Sequence, residues 1–339
     1  MINKTKLRQV VKRTTAAVLN RAGFVNHRLK KGGVIILMFH KVDDKNDPLP
    51  LTVSPSTFDQ ILSQLNKRHD IVALESLFDS EGKLVVDDKV KFAITFDDGY
   101  LDNYEKAFPI LQKYHTPATI YLSYGHLEGE YFFWYEKLTL GLQHTQQTSL
   151  DLSDMGSEKF ALENTEDINI AITSLNFWLK QFTDKERLEK LEEILSRLDV
   201  NDTDELVSPM LTWEMVKEMQ ENNINFGSHT LSHPILARED SRSIEREVVE
   251  SKKLLEGKTG KTIEGFAYPN GTVDDYNDTV LDYVGKAAYQ HACTTMAGIN
   301  YAGQDPYQLL RINIDPFMCT NEKGEFLPDM FWAKVSALI

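Results

Sequence analysis

A chain of 339 residues with 42% hydrophobic and 26% charged residues has the make-up of a globular protein with room for a large core, which excludes a disordered chain. The net charge of −14 hides an asymmetry: nine Lys and Arg lie in the first 31 residues, no acidic residue precedes Asp43, and past residue 31 stand 28 basic against 51 acidic residues, a balance of −23. So acidic a body excludes nucleic-acid binding beyond the basic start, and two cysteines, Cys293 and Cys319, are too few for a disulfide framework and read as buried, inert thiols.

Residues 1–31 hold no apolar run of about 7 to 15 residues behind their charges, so they do not read as a secretory signal, and no stretch of about 18 apolar residues predicts a membrane-spanning helix. Leu7, Val10, Val11, Val18 and Leu19 fall near one face of a basic amphipathic helix over 1–31. Such a helix either packs on the acidic body or lies on an anionic membrane surface, and the expected location is cytoplasmic, peripheral at the inner membrane face. Oligomeric state has no signature in the sequence.

From residue 32 to 339, short apolar runs alternate with helical periodicity, the pattern of an α/β domain with a largely parallel sheet. Strands are predicted at Val34–Phe39, Phe92–Phe96, Ala118–Leu122, Asn225–Gly227, Ile263–Ala267 and His291–Thr295. Helices are predicted from the Ser54-Pro55 start through Leu65, over Tyr104–Tyr114, and at about 212–222, 241–256 and 274–288. Residues 125–210 show no convincing strand and several helical patterns, including Ile168–Leu179 and Lys185–Leu198, and read as a helical insertion. Phe132, Phe133, Trp134 and Tyr135 at its start suit either sugar stacking or an apolar core. His69, His115, His126 and His144 read as surface or loop residues.

Two motifs carry chemistry. Thr95-Phe96-Asp97-Asp98-Gly99-Tyr100 follows an apolar strand, and ligands of such sheets gather at the carboxyl ends of strands. Adjacent residues leaving a strand point to opposite sides, so one carboxylate can reach a cation while its neighbour faces the space beside it. The alternative is an Asp-Asp-Gly surface turn. In His229-Thr230-Leu231-Ser232-His233, two imidazoles four apart suit one zinc ion, but two ordinary surface histidines would look the same. A zinc protease would place Glu at position 230, and Thr stands there; a hydrolytic site would need its base from elsewhere, and Asp97 is available.

Together, in this order, the motifs resemble the polysaccharide deacetylase family, carbohydrate esterase family four, with its NodB homology domain. Ile36-Leu37-Met38-Phe39-His40-Lys41-Val42, the stretch from Gly99 to Thr119, and Leu211-Thr212-Trp213-Glu214 are similar as well; the resemblance spans about 33–124 and 208–316. It implies a distorted parallel (β/α) barrel and a metal-dependent hydrolase that removes acetyl groups from N-acetylated sugars of a polysaccharide or lipid-linked glycan. Asp98, His229 and His233 would hold a divalent metal, Zn2+ first, with Co2+, Ni2+ or Mn2+ as substitutes. Asp97 would be the base, and the Tyr100 backbone N–H would face the oxyanion. Tyr268-Pro269-Asn270-Gly271 resembles the family's groove wall, but Ala267 stands where many members carry an arginine; Arg311 is the candidate to replace it. No histidine follows His291, so the general acid would come from the first strand, at His40. The alternatives are an O-acetyl esterase or other small-amide hydrolase of the family, or a catalytically inactive glycan-binding domain.

Overall fold

The computed structural model describes residues 4–44, 51–200, 207–316, 318–321 and 323–338. Its strands are β1 (Val34–Phe39), β2 (Lys41–Val42), β3 (Thr52–Val53), β4 (Asp70–Ile71), β5 (Lys91–Phe96), β6 (Ala118–Leu122), β7 (Ser149–Asp151), β8 (Lys159–Ala161), β9 (Ile224–Ser228), β10 (Gly265–Ala267), β11 (His291–Cys293) and β12 (Arg311–Asn313). The main sheet runs β11-β10-β9-β6-β5-β1-β12, with β4 added beside β5, and all its pairings are parallel. Its two edges meet where Cys293 bridges Leu309, with the Thr294 N–H donating to the Leu309 carbonyl at 2.9 Å. The sheet thus nearly closes into a (β/α) barrel flanked by helices.

Alternation along each strand sorts the core into two layers. Ile35, Leu37, Phe39, Phe92, Ile94, Phe96, Ile120, Phe266 and Ile312 face outward into the cluster shared with the surrounding helices. Val34, Ile36, Ala93, Tyr121, Ala267, Cys293 and Leu309 form the inner cluster. That parity decides what reaches the barrel mouth. Thr95 and Asp97 follow Ala93 on the inward side of β5, and Arg311 precedes outward-facing Ile312 on β12.

The structure corrects the expectation for 125–210 in one respect: besides helices Trp134–His144, Thr165–Leu179 and Asp184–Arg197 it holds the antiparallel pair β7–β8. Each strand is three residues long and buries one side chain, Leu150 or Phe160, too short a pattern for alternation to register. The segment has an apolar cluster of its own, centred on Trp134, Leu138, Leu175, Leu191 and Leu198. Phe133 and Trp134 are buried, and Trp134 belongs to this cluster rather than to an open sugar platform.

At the start of the chain, helix Lys4–Arg21 packs against helix Pro328–Val335, with Ala16 and Val25 buried and Asn20 hydrogen-bonded to Asp329. Val18 and Phe24 stay exposed. The side chains of Leu7, Val10 and Val11, which carried the predicted apolar face, lie outside the described residues. No described helix is long and apolar enough to cross a membrane. Both cysteines are buried and unpaired.

Candidate active site

Asp97 and Asp98 leave the end of β5 in the parallel ladder: the Asp97 N–H donates to the Phe39 carbonyl at 3.0 Å, and the chain then turns at Asp98 (φ 77°) and Gly99 (φ 87°). Gly99 suits this left-handed turn, and a Cβ there would come within 2.7 Å of the end of the Leu122 side chain, which would have to move aside. The two carboxylates part as the strand geometry requires. Asp97 meets Arg311 in a two-pronged pair, Nη1–Oδ1 and Nη2–Oδ2 both 2.7 Å, while the Arg311 Nε donates to the Thr294 carbonyl at 2.8 Å. Both residues are shielded from water. Burial alone would raise the Asp97 pKa, but the guanidinium charge, with His229 and the Arg311 hydrogen bonds, outweighs it and holds the carboxyl at about 2.

Asp98 turns the other way. Its Oδ1 lies 3.6 Å from Nε2 of His229 and 3.6 Å from Nε2 of His233, and it has no hydrogen-bond partner although fully buried. Burial and the neighbouring charges of Asp97 and Glu136 push its pKa well above the carboxylate range. Desolvation lowers both imidazole pKa values. His229 Nδ1–H donates to the Ala267 carbonyl at 2.7 Å, which fixes the tautomer and leaves the Nε2 lone pair toward Asp98. Neutral imidazoles and an orphaned carboxylate oxygen converging within 4.8 Å are a donor set that a divalent cation fits.

The loop carrying the histidines is built with strain and held by one carboxylate. Thr230 and His233 adopt left-handed φ of 69° and 59°, as Asp98 does, conformations that persist only when the surroundings over-determine them. Buried Glu247 accepts from the Leu231 N–H at 2.8 Å and the Ser232 N–H at 3.0 Å. It sits in a π-turn, Arg246–Glu250, within the run of helix from Ser241 to Thr259. Such an insertion re-aims side chains and recurs at functional sites.

The family model for polysaccharide deacetylases matches residues 85–292, more than half of the chain. The chain belongs to the polysaccharide deacetylase family. As a deacetylase it is similar to YxkH of Bacillus subtilis (strain 168), a putative polysaccharide deacetylase, with 24% identity over 87% of this chain and 76% of that one. Its fold is similar to that of the deacetylase PplD of Streptococcus pyogenes in complex with acetate (TM-score 0.56, 24% identity, 89% of this chain and 98% of that one). It is also similar to that of IcaB of Ammonifex degensii (TM-score 0.56, 18% identity, 91% and 97%).

The remaining predicted residues of the deacetylase fall around this centre unevenly. His40, at the end of β1, is partly exposed; desolvation lowers its pKa to about 4, with Asp97 pulling upward and Arg311, His229 and Lys41 pushing down. Among the described residues the Tyr100 N–H is not engaged by a backbone carbonyl. Ala267 contributes its carbonyl to His229, and the guanidinium that meets Asp97 is that of Arg311, on β12. Of the groove-wall motif, Tyr268 is buried, stacked on Tyr276 at 4.4 Å with its hydroxyl donating to the Tyr307 carbonyl. Pro269 and Gly271 are buried, leaving Asn270 partly exposed.

Four residues contact the site in ways the sequence reading did not assign. His126, expected at the surface, is buried and stacked on Phe133 at 3.9 Å, and Phe133 in turn packs edge-on against His233 at 5.3 Å. Tyr135 donates to Asp98 Oδ2 at 3.2 Å. Glu136 pairs in the interior with Lys41, 2.6 Å apart. Glu247 completes the group. The Phe-Phe-Trp-Tyr-Glu run over 132–136, at the start of helix Trp134–His144, was the available signal, but periodicity in it served the local core and the site at once.

Proposed function

We propose that this deacetylase hydrolyses the acetamido group of an N-acetylated sugar in a glycan, releasing acetate and leaving the free amine. The observation that carries the proposal is the orphaned Asp98 Oδ1 equidistant from two imidazole nitrogens, with an ionised carboxylate, Asp97, on the adjoining residue. Asp98, His229 and His233 would hold a divalent cation, Zn2+ in the first place; when bound it polarises the acetyl carbonyl and acidifies the attacking water, from a pKa of 15.7 to roughly 7–9.

The chain's own residues do the rest. Asp97, kept ionised and oriented by the two-pronged Arg311 contact, accepts a proton as the water oxygen bonds to the carbonyl carbon. The Tyr100 N–H is free to donate to the oxygen on which negative charge then develops. Collapse breaks the C–N bond, and the departing nitrogen needs a proton. His40 is neutral near pH 7, so it can deliver one only after receiving one; the charge of Asp97 acts on it, which supports a path in which the proton taken from water is handed on through His40. Acetate, the ligand named for PplD, is the product expected here.

The test is acetate release from a panel of N- and O-acetylated glycans by metal-reconstituted protein, beside Asp97→Asn. Release from N-acetylated members, abolished in Asp97→Asn, is the expected result. Release confined to O-acetylated members makes the enzyme an esterase, and none at all leaves a glycan-binding domain.

A further inference from the structure

We propose that Tyr135, delivered by the segment between β6 and β9, is a positioning residue that keeps Asp98 to one-oxygen ligation. The proposal rests on the reading of Asp98, His229 and His233 as metal ligands. The two oxygens of Asp98 are in different situations. Oδ1 faces both histidine Nε2 atoms at 3.6 Å and has no hydrogen bond, whereas Oδ2 accepts the Tyr135 hydroxyl at 3.2 Å. A carboxylate free at both oxygens can wrap a cation through both and occupy a position that a hydrolytic site must leave to water and substrate. A donor on Oδ2 opposes that rotation, in the way that outer hydrogen bonds orient ligands in metal sites generally.

Tyr135 is itself held on several sides. Its hydroxyl lies 3.0 Å from the Tyr100 hydroxyl, its ring stacks on Phe133 at 5.3 Å and meets His233 edge-on at 5.9 Å. The next residue, Glu136, anchors the helix start: it accepts from Lys41 Nζ at 2.6 Å and from Ser208 Oγ at 2.9 Å, and Lys41 opens β2 directly after His40. The Lys41 ammonium also lies 4.3 Å over the Tyr100 ring. The segment between β6 and β9 therefore reaches the Asp98 carboxylate through the Tyr135 hydroxyl, whose position is pinned to the barrel rim on both sides.

Wild type, Tyr135→Phe and Leu138→Ala are titrated with Zn2+ against a chelator of known affinity, and each is loaded with Co2+ for its visible absorption spectrum. Leu138 is buried in the segment's own core and not among the site contacts, so its truncation loosens the segment without removing the hydroxyl. Tyr135→Phe is expected to weaken Zn2+ binding about 10- to 100-fold and to shift the Co2+ bands, while Leu138→Ala stays within about threefold of wild type with unshifted bands. Equal affinities and spectra in wild type and Tyr135→Phe would overturn the proposal, as would Leu138→Ala losing as much affinity as Tyr135→Phe. Wild type that takes up neither metal would refute the ligand assignment itself, a separate failure.

Discussion

Arg311 and Asp97 are two fully buried opposite charges on which the proposed chemistry turns, and a buried pair is costly to break because the survivor has no partner. Arg311→Met should cost about 3–5 kcal/mol in stability by denaturant titration. It should also change the acid side of the pH–rate profile. With Arg311 present the Asp97 pKa sits at about 2, below its ordinary 3.8, so the carboxylate stays ionised down to strongly acidic pH and the pair's contribution to stability is lost only as pH falls from about 4 through 2. Without Arg311, burial is the main influence left, the pKa rises above 3.8, and activity should begin to fall at a higher pH than in wild type. An unmoved acid limb in a folded variant would mean that Arg311 does not set the ionisation of Asp97.

The elements that position these residues were legible in the sequence to different degrees. β1 and β6 were read to the residue because their apolar runs are long and buried on both faces, a signal that needs no partner to interpret. The three-residue β12 was missed: buried Arg311 interrupts its apolar run, and what makes it a strand is its parallel pairing with β1. The same reason hid Tyr135 and Glu136, whose meaning lies in groups far along the chain. Asp97, Asp98, His229 and His233 were singled out because the two motifs, each following a strand, together resemble a family signature; neither motif distinguishes a site from a surface turn or surface histidines by itself. Glu136 gives the element-scale expectation: Glu136→Ala leaves the Lys41 ammonium without its buried carboxylate and frees the start of helix Trp134–His144 from the rim. Limited proteolysis should then cut within residues 125–210 at least tenfold faster than in wild type, before the barrel is attacked. Unchanged cleavage would show that the segment is docked by its apolar cluster alone.

For the molecule as a whole, buried neutral histidines make stability sensitive to mild acid. His291, inside the barrel against Phe78 and the Tyr121 hydroxyl, has its pKa lowered by desolvation to about 3 from 6.5. The unfolded chain therefore binds a proton at this site that the folded one refuses between about pH 6.5 and 3, so the associated stability is present above pH 6.5 and declines as pH falls through that window. One such group contributes up to about 1.4 kcal/mol per pH unit. Urea titrations at pH 7 and pH 5 should show wild type losing about 1–2 kcal/mol more than His291→Gln on acidification. Equal losses would assign the acid sensitivity to other groups.

The near-closure of the barrel has a consequence for how the molecule comes into being. Asp97 and Arg311 are 214 residues apart, and the arginine belongs to the last strand of the sheet. During synthesis on the ribosome, β5 and β9 emerge with Asp98, His229 and His233 well before Arg311 does. A nascent chain can thus complete its candidate cation-holding set while Asp97 still lacks the charge that keeps it ionised in the interior. On the proposed reading of Asp97 as the base, its guanidinium partner arrives only with the closing strand, so the site is the last part of the barrel to be completed in the order of translation.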